Sequence, residues 1–235
     1  MDALMGEQIA RAGLADWRKL AQGLHARYLV DDFTTSARFV VAVGEEGDSI
    51  GYHPRVSMGP GFVDLKLITP DAVYRDDDDG TELVFEWVTQ QDVDLARRIS
   101  SVAAERGLTA DPASVSHVEL GLDAADSSRI APVWAALLTG IAQAQGHGSP
   151  SDEIRDPAGR VPNLWFGEPD EGGEARQTFH VEVYVAPEIV EQRIAAAVAA
   201  GGTIVDDSQS PGLTVVADQD GHRDIVCADT SSAGR

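Results

Sequence analysis

A short segment occurs twice in the second half of the chain. Residues 117–122 read HVELGL, and residues 180–185, 63 positions later, read HVEVYV. Apolar residues at helical spacing follow each copy, and strand patterns follow each helix. Two copies of a strand, a helix and then several strands predict a duplicated module that closes around a shared cavity.

The strand period places polar residues of both copies on one face. Side chains alternate between faces along a strand, so His117 and Glu119 point away from the face that carries Val118. His180 and Glu182 occupy the same positions in the second copy. If the modules pair by pseudo-symmetry, the two histidines and two glutamates converge on one polar, concave wall.

A turn-rich stretch, residues 109–114, separates the first copy of the repeat from a helical pattern before it. It predicts two domains, one over residues 1–108 and the other over residues 114–230. The first domain is expected to be an α+β unit with an antiparallel sheet and helices on one face. Its expected elements include a helix over 6–22 and strands over 24–30 and 62–69.

Helical spacing predicts the buried face of the two later helices in the first domain. Asp31 or Asp32 is positioned to cap the first of them. Its expected buried stripe is Phe33, Ala37, Val40, Val41 and Gly44. Thr89, with Asp92 three residues later, forms a capping-box pattern that opens the next helix. The expected buried stripe of that helix is Val93, Ala96, Ile99 and Val102.

Charge and composition exclude several classes of function. The chain has 18 basic and 39 acidic residues, so phosphate backbones and anionic lipids repel it, and neither nucleic acid nor a membrane is an expected partner. No apolar run approaches the roughly 20 residues of a membrane helix, and the first residues do not form a secretory-signal pattern. The single cysteine, Cys227, excludes a disulfide scaffold and a cysteine-based zinc site. A cytoplasmic location is therefore expected.

The second half resembles the glyoxalase-like, or bleomycin-resistance-like, branch of the vicinal oxygen chelate superfamily. The resemblance rests on the openings at His117 and His180, the helix VWAALL at 133–138 and the closing segment GLTVVADQDG at 212–221. It implies the paired βαβββ fold and places His117 and His180 at the ligand positions of metal-using members. The carboxylate expected on the last strand falls on Ile225, with Asp224 one residue away and therefore on the other face.

Two interpretations of this second site stay open. In one, His117 and His180 bind a divalent metal ion, although two histidines without a carboxylate fall short of a facial triad. In the other, they form hydrogen bonds in a polar cleft that binds a small organic ligand. Glu119 and Glu182 would then contact the ligand, and Trp165 would supply an aromatic wall that suits a flat molecule.

The first half, residues 1–107, resembles pterin-4a-carbinolamine dehydratase. The most specific part is Asp48-x-x-x-Tyr52-His53-Pro54, followed by the strand over 62–69 and the helix that Thr89 opens. The family signature is His-His-Pro, with a third histidine just past the following strand. Here Tyr52 replaces the first histidine, and the third position falls on Pro70. The resemblance implies removal of water from a 4a-hydroxytetrahydropterin without a metal ion or bound cofactor.

His53 is the candidate acid/base group of the first half. Loss of water requires a proton for the leaving hydroxyl and removal of a proton from a ring nitrogen, and an imidazole titrates in the range that serves both steps. Tyr52 and Asp48 are expected to assist, and Pro54 and Phe62 to contact a pterin-like or other heterocyclic substrate. The alternative is a first domain that has lost catalysis and serves in binding or assembly, with the activity in the second domain. A homo-oligomer is expected because both resembled families commonly self-associate.

Overall fold

The structure, a computed structural model, describes residues 1–75, 81–124, 126–139, 153–156, 159, 161–168, 179–217, 219, 221 and 223–231. Asp218 and Asp220 of the closing segment, and the side chains of Val133 and Ala136, lie outside this description. The chain divides into two compact units. Unit 1 holds Met1–Val115 and the residues from Asp229 onward, and unit 2 holds Ser116–Ala228.

Unit 1 is built on an antiparallel sheet with the strand order β1-β2-β4-β3, and β7 also pairs with β2. Its elements are α1 (Gly6–Arg11), β1 (Arg18–Leu20), β2 (Gly23–Leu29), α2 (Phe33–Asp48), β3 (Arg55–Gly59), β4 (Phe62–Leu67), β5 (Thr69–Arg75), β6 (Glu82–Trp87), α3 (Gln90–Glu105) and β7 (Thr109–Ala110). β5 and β6 form a separate two-stranded ribbon. The predicted α+β class is confirmed for this unit.

Helices α2 and α3 pack on one face of the unit 1 sheet. The shared core contains Leu24, Ala26, Tyr28, Val63, Leu65 and Leu67 from the sheet, and Phe39, Val43, Leu95, Ala96 and Ile99 from the helices. The expected face of α3 is confirmed, because Val93, Ala96, Ile99 and Val102 are all buried. The predicted capping box between Thr89 and Asp92 is present as well.

The helix expected over 6–22 is wrong in its extent. The observed helix α1 ends at Arg11, and Arg18–Leu20 forms strand β1 instead. Gly13 has a φ of +67°, a left-handed conformation that a continuing α-helix cannot contain. Apolar spacing alone did not reveal this break.

The expected stripe of α2 is confirmed only in part, because Val40 packs against the core whereas Phe33 and Val41 point outward. Phe33 and Val41 are 67% and 62% exposed, whereas Phe39 and Val43 are buried against the sheet. Helix α2 therefore carries two apolar stripes, and contact with the sheet decides which one enters the core.

Unit 2 contains a seven-stranded sheet with the order β12-β13-β14-β11-β8-β10-β9. Its elements are β8 (Ser116–Asp123), α4 (Ser127–Thr139), β9 (Glu153–Ile154), β10 (Leu164–Gly167), β11 (Phe179–Val185), α5 (Val190–Ala199), β12 (Thr203–Gln209), β13 (Leu213–Ala217) and β14 (Arg223–Cys227). The first module comprises β8 to β10 in the described residues, and the second comprises β11 to β14. Two small cores, one around Leu164 and one around Val185, pack beneath α4 and α5 respectively.

The two copies of the repeat are the central strands of this sheet. β8 and β11 pair antiparallel, with Glu119 directly opposite Glu182. Equivalent positions of the repeat face each other only at this pair, so the pseudo-two-fold axis of unit 2 passes between the two glutamates.

Among the described residues, no helix of the chain combines the length and apolar character needed to cross a membrane.

Candidate functional site

The turn after α2 brings His53 back to the end of that helix. The carbonyl oxygen of Gly47 accepts hydrogen bonds from the backbone N–H groups of Ile50 and Tyr52, which closes the turn. The Nε2 atom of His53 then lies 2.9 Å from Oδ1 of Asp48. The side chains of His53 and Asp48 are 49% and 78% exposed, so this pair is accessible from solvent.

Gly47 allows this close approach. A Cβ atom at Gly47 would lie 2.5 Å from Cδ2 of His53 and 2.7 Å from the carbonyl oxygen of Tyr52. Both distances are shorter than real Cβ contacts, so any side chain here would displace the imidazole. Gly47 is a site residue that the sequence analysis missed, and a glycine in the last turn of a helix was its only signal.

Tyr52 enters a buried polar network on the other side of the turn. Its hydroxyl donates a hydrogen bond to Asp92 and accepts one from the backbone N–H of Ile68 at 2.9 Å. Oδ2 of the fully buried Asp92 also accepts from the hydroxyl of Thr69 at 2.8 Å and from the backbone N–H of Thr89 at 2.7 Å. The Tyr52 hydroxyl is therefore occupied within the fold.

The surroundings of Tyr52 keep it protonated. Burial raises the pKa of the phenol, and the nearby Asp92 raises it further through its negative charge and its hydrogen bond. The phenol therefore stays protonated near neutral pH, and less phenolate is available to accept a proton than in an exposed tyrosine.

The two expected substrate contacts lie at different places. Pro54 follows His53 directly and is half-buried. Phe62 begins β4 and pairs with Gly59 at one end of the β3–β4 hairpin. Pro54 directly precedes the other end, where Arg55 pairs with Lys66. Four residues of strand separate the two ends, about 13 Å. The structure therefore brings Asp48, His53 and Pro54 together but leaves Phe62 apart.

Unit 2 has a second cluster, here called the polar face. It comprises His117, Glu119, Trp165, His180, Glu182, Tyr184 and Cys227, whose positions pair directly across strands β10, β8, β11 and β14. Glu119 is only 3% exposed, and it accepts a hydrogen bond from Nδ2 of Asn163 at 3.3 Å. Glu182 accepts a hydrogen bond from the hydroxyl of Tyr184 at 2.8 Å.

The two histidines of the polar face have different neighbours. Nε2 of His117 lies 3.6 Å from Oε1 of Glu119. The ring of His180 lies over Gly121, and the Trp165 ring meets it edge-on with the ring centres 5.2 Å apart. Because His117 and His180 stand on opposite sides of the pseudo-two-fold axis, their backbones are about 13 Å apart along the sheet.

Two carboxyl groups, Glu119 and Glu182, lie at the centre of the polar face. Burial raises the pKa of Tyr184, and the charges of Glu182 and Glu119 raise it further. The same causes, in the same order, raise the pKa of the Cys227 thiol to about 12. Both groups therefore stay protonated near neutral pH.

The described residues of unit 2 do not fit a divalent metal ion. Ile225 pairs with Glu182, whereas Asp224 pairs with Val216 on the opposite face of the sheet. Asp224 accepts a hydrogen bond from the backbone N–H of Val181 and lines a cavity of about 350 Å³ beside α5. In the part of the chain that the structure describes, no group of three or more His, Cys, Asp or Glu side chains could hold a metal ion. Metal binding by His117 and His180 stays a prediction that these donor atoms do not support.

Comparison with known families matches each unit separately. Residues 2–102 match the family model described as pterin 4 alpha carbinolamine dehydratase, and residues 119–227 match the one described as a glyoxalase-like domain. The chain carries a pterin carbinolamine dehydratase-like domain followed by a glyoxalase-like domain. Both resemblances predicted from the sequence are thereby confirmed.

Individual relatives match the dehydratase-like domain. The "Putative pterin-4-alpha-carbinolamine dehydratase" of Thermosynechococcus vestitus is 28% identical over 92 residues, which cover 39% of this chain and 83% of that protein. Among solved structures, a transcriptional coactivator/pterin dehydratase from Brucella melitensis covers 43% of this chain and 99% of its own, at 19% identity and a TM-score of 0.34.

Two further residues of the glyoxalase-like domain escaped the sequence analysis. Gly121 provides the space for the His180 ring, since a Cβ atom there would collide with that ring and lie 2.9 Å from Trp165. Tyr184 replaces this glycine in the second copy of the repeat and bonds Glu182 instead. The mismatch between Gly121 and Tyr184 at equivalent positions was the available signal.

Proposed function

We propose that the dehydratase-like domain is a hydro-lyase that removes water from a hydroxylated pterin or a similar heterocycle, with His53 as the proton-transfer group. One observation carries the proposal: the His53 ring is open to solvent while Asp48 holds its Nε2 atom at 2.9 Å. The ring also stands at the position of the second histidine in the family signature that the first half resembles.

The Asp48 contact suits the imidazole to act as a base. A carboxylate accepts a hydrogen bond from a ring N–H, so the neutral ring keeps its proton on Nε2 and its lone pair on Nδ1. Nδ1 would remove the proton from the ring nitrogen of the substrate as the C–O bond breaks. The leaving hydroxyl takes up a proton from solvent and departs as water, and His53 then returns to solvent the proton that it removed, so the reaction has no net change in protons and needs no metal ion or bound cofactor.

Tyr52 acts as a positioning residue in this proposal. Its hydroxyl is bonded to Asp92 and Ile68, and its backbone N–H to Gly47, so it anchors the turn that precedes His53. A buried phenol with a raised pKa is unsuited to exchange protons with a substrate. The chemical step is therefore assigned to His53, with Asp48 orienting its ring.

A site with one histidine is expected to be a slow enzyme. A positioned acid/base group contributes about 10²- to 10⁴-fold to a rate. Tyr52 and Pro70 stand where the family signature has two further histidines, and neither supplies an imidazole. The turnover of this domain should accordingly lie well below that of a three-histidine dehydratase.

The test is a dehydration assay on a 4a-hydroxytetrahydropterin with the full chain. The rate should fall at least 100-fold in His53→Ala and about tenfold in Asp48→Asn. Asp31→Asn, which changes another exposed aspartate just before α2, is the matched control and should retain the rate. Equal rates for the unchanged chain and His53→Ala would overturn the proposal and leave the dehydratase-like domain as a binding or assembly module.

A further inference from the structure

The cavity beside α5 points to a ligand site in the glyoxalase-like domain: we propose that it binds an apolar α-amino acid, with the ligand carboxylate on Arg193 and the ligand ammonium group on Asp224. The cavity lies between α5 and the helix-covered face of the unit 2 sheet. The polar face is the opposite face of that sheet, and His53 belongs to the other unit. The inference therefore depends neither on the polar face nor on the dehydratase proposal.

Small residues in the second half of α5 create the cavity. Val190 and Ile194, in the first half of the helix, pack into one of the two small cores of unit 2. The chain then reads AAAVAA over residues 195–200, and Ala197 and Ala200 line an unfilled space of about 350 Å³. Protein interiors contain few voids larger than a water molecule. A space of this size instead lies at the lower end of the range for small-molecule pockets, about 300–1,000 Å³.

A side-chain bond at the end of α5 holds the cavity open. Nε2 of Gln219, in the turn after β13, donates a hydrogen bond to the carbonyl oxygen of Ala200 at 3.1 Å. The Gln219 side chain folds over Gly201, where a Cβ atom would collide with it. This contact ties the C-terminal end of the helix to the sheet and holds the helix at its distance from the cavity floor.

Two opposite charges line this largely apolar cavity without forming an ion pair with each other. The guanidinium group of Arg193 makes no hydrogen bond or ion pair with any described residue. Oδ1 of Asp224 accepts a hydrogen bond from the backbone N–H of Val181 at 3.1 Å, which orients the carboxylate at the start of β14. A carboxylate can accept further hydrogen bonds. Both charges are therefore available to a ligand.

The pair of charges favours a zwitterion. A guanidinium group binds a carboxylate through two parallel hydrogen bonds, and an ammonium group donates to a carboxylate. A plain carboxylic acid would satisfy Arg193 but leave the charge of Asp224 uncompensated beside it, and a plain amine would do the reverse. The apolar part of the wall suits an apolar side chain, whose burial favours binding. It consists mainly of Val183, Val216, Ile225 and Val226.

The experiment measures binding of L-phenylalanine and L-leucine to the full chain by isothermal titration calorimetry. We expect Arg193→Gln and Asp224→Asn each to weaken binding at least tenfold, because each removes one charge-assisted contact. An asparagine side chain can still accept the hydrogen bond from Val181, so Asp224→Asn keeps the contact between strands. Arg129→Gln changes an exposed arginine on α4, the equivalent helix of the first module, and should bind as the unchanged chain does.

Two matched analogues test the zwitterion. Phenylpropionate lacks the ammonium group of phenylalanine, and phenethylamine lacks its carboxylate, but both keep the aromatic ring. Each should bind the unchanged chain at least tenfold more weakly than L-phenylalanine. Equal affinities for the amino acid and either analogue would overturn the proposal.

Filling the cavity separates a ligand site from a packing defect. Ala197→Leu places a larger side chain in the space, so the melting temperature should equal or exceed that of the unchanged chain while binding is lost. Unchanged affinity in Ala197→Leu or in Arg193→Gln would show that the amino acid does not bind in this cavity. No binding of either amino acid at about 1 mM would also overturn the proposal.

Discussion

The polar face raises the pKa of one of its residues, Cys227. The thiol is buried opposite Tyr184, and its pKa is raised to about 12 by burial, with the charges of Glu182 and Glu119 adding to the effect. A free cysteine has a pKa of about 8.5. Since only the thiolate reacts with alkylating agents, Cys227 should be nearly inert at pH 8.

The prediction is that alkylation of Cys227 by iodoacetamide at pH 8 is about a thousandfold slower in the folded chain than in guanidinium. Because the chain has one cysteine, mass spectrometry reads this reaction directly. Glu182→Gln removes a negative charge that disfavours the thiolate, so it should lower the pKa and speed the reaction of the folded chain. Folded and unfolded chains that react at the same rate would contradict the prediction.

At the same scale, the sequence predicted where His53 lies but not what Tyr52 contacts. The resemblance placed both residues in one motif, and the motif implied a shared chemical role. The Tyr52 hydroxyl instead bonds Asp92, 40 positions away in the chain, which the sequence analysis assigned only to the cap of α3. The local periodicity of apolar residues in the sequence does not reveal a contact between residues so far apart in the chain.

Helix α2 carries a prediction about elements, because two of its glycines have opposite surroundings. Gly44 has no other atom within 4 Å of an added Cβ, whereas Gly47 faces the His53 ring. Alanine favours a helix over glycine by about 1 kcal/mol, so Gly44→Ala should stabilise the chain by up to that amount. Gly47→Ala should lower the melting temperature because its Cβ would collide with His53 and Tyr52.

The same pair of variants tests the site. Gly47→Ala should also reduce dehydration of the 4a-hydroxytetrahydropterin, since it displaces the imidazole from Asp48, while Gly44→Ala should leave the rate unchanged. Thermal melting and the rate assay are read on both proteins. If the two substitutions shifted the melting temperature in the same direction, the close packing of Gly47 against His53 would be contradicted.

The order of elements in the glyoxalase-like domain was predictable, whereas the partners of each strand were not. The repeat predicted the two modules, and period two predicted that Glu119 and Glu182 share a face. The separation of His117 from His180 follows from antiparallel pairing, in which equivalent positions meet only at the symmetry axis. That pairing is a tertiary property, and neither copy of the repeat encodes it alone.

At the scale of the whole molecule, two features have opposite effects on self-association. The exposed apolar side chains of α2, here called the outward stripe, favour it, and the net negative charge opposes it. Phe33 and Val41 are largely exposed and lie two helical turns apart, with Ala37 between them. A small residue at the centre lets a second helix approach to about 8–10 Å. Such a stripe can pack against its own copy about a two-fold axis, which is the commonest symmetry of homo-oligomers.

We expect the full chain to self-associate through α2, and the net charge of −21 makes this association dependent on salt. Two such copies repel each other at low ionic strength, and salt shortens the range of that repulsion to about 8 Å near 0.15 M. Sedimentation velocity should therefore show a larger oligomer fraction at high salt than at low salt.

Phe33→Asp and Val41→Asp should shift the chain to monomer, since each places a charge on the stripe. Leu83→Asp changes another exposed apolar residue, on β6, and should leave the mass unchanged. A chain that stays monomeric at high salt, or a control that dissociates equally, would show that the outward stripe of α2 is not an interface between copies.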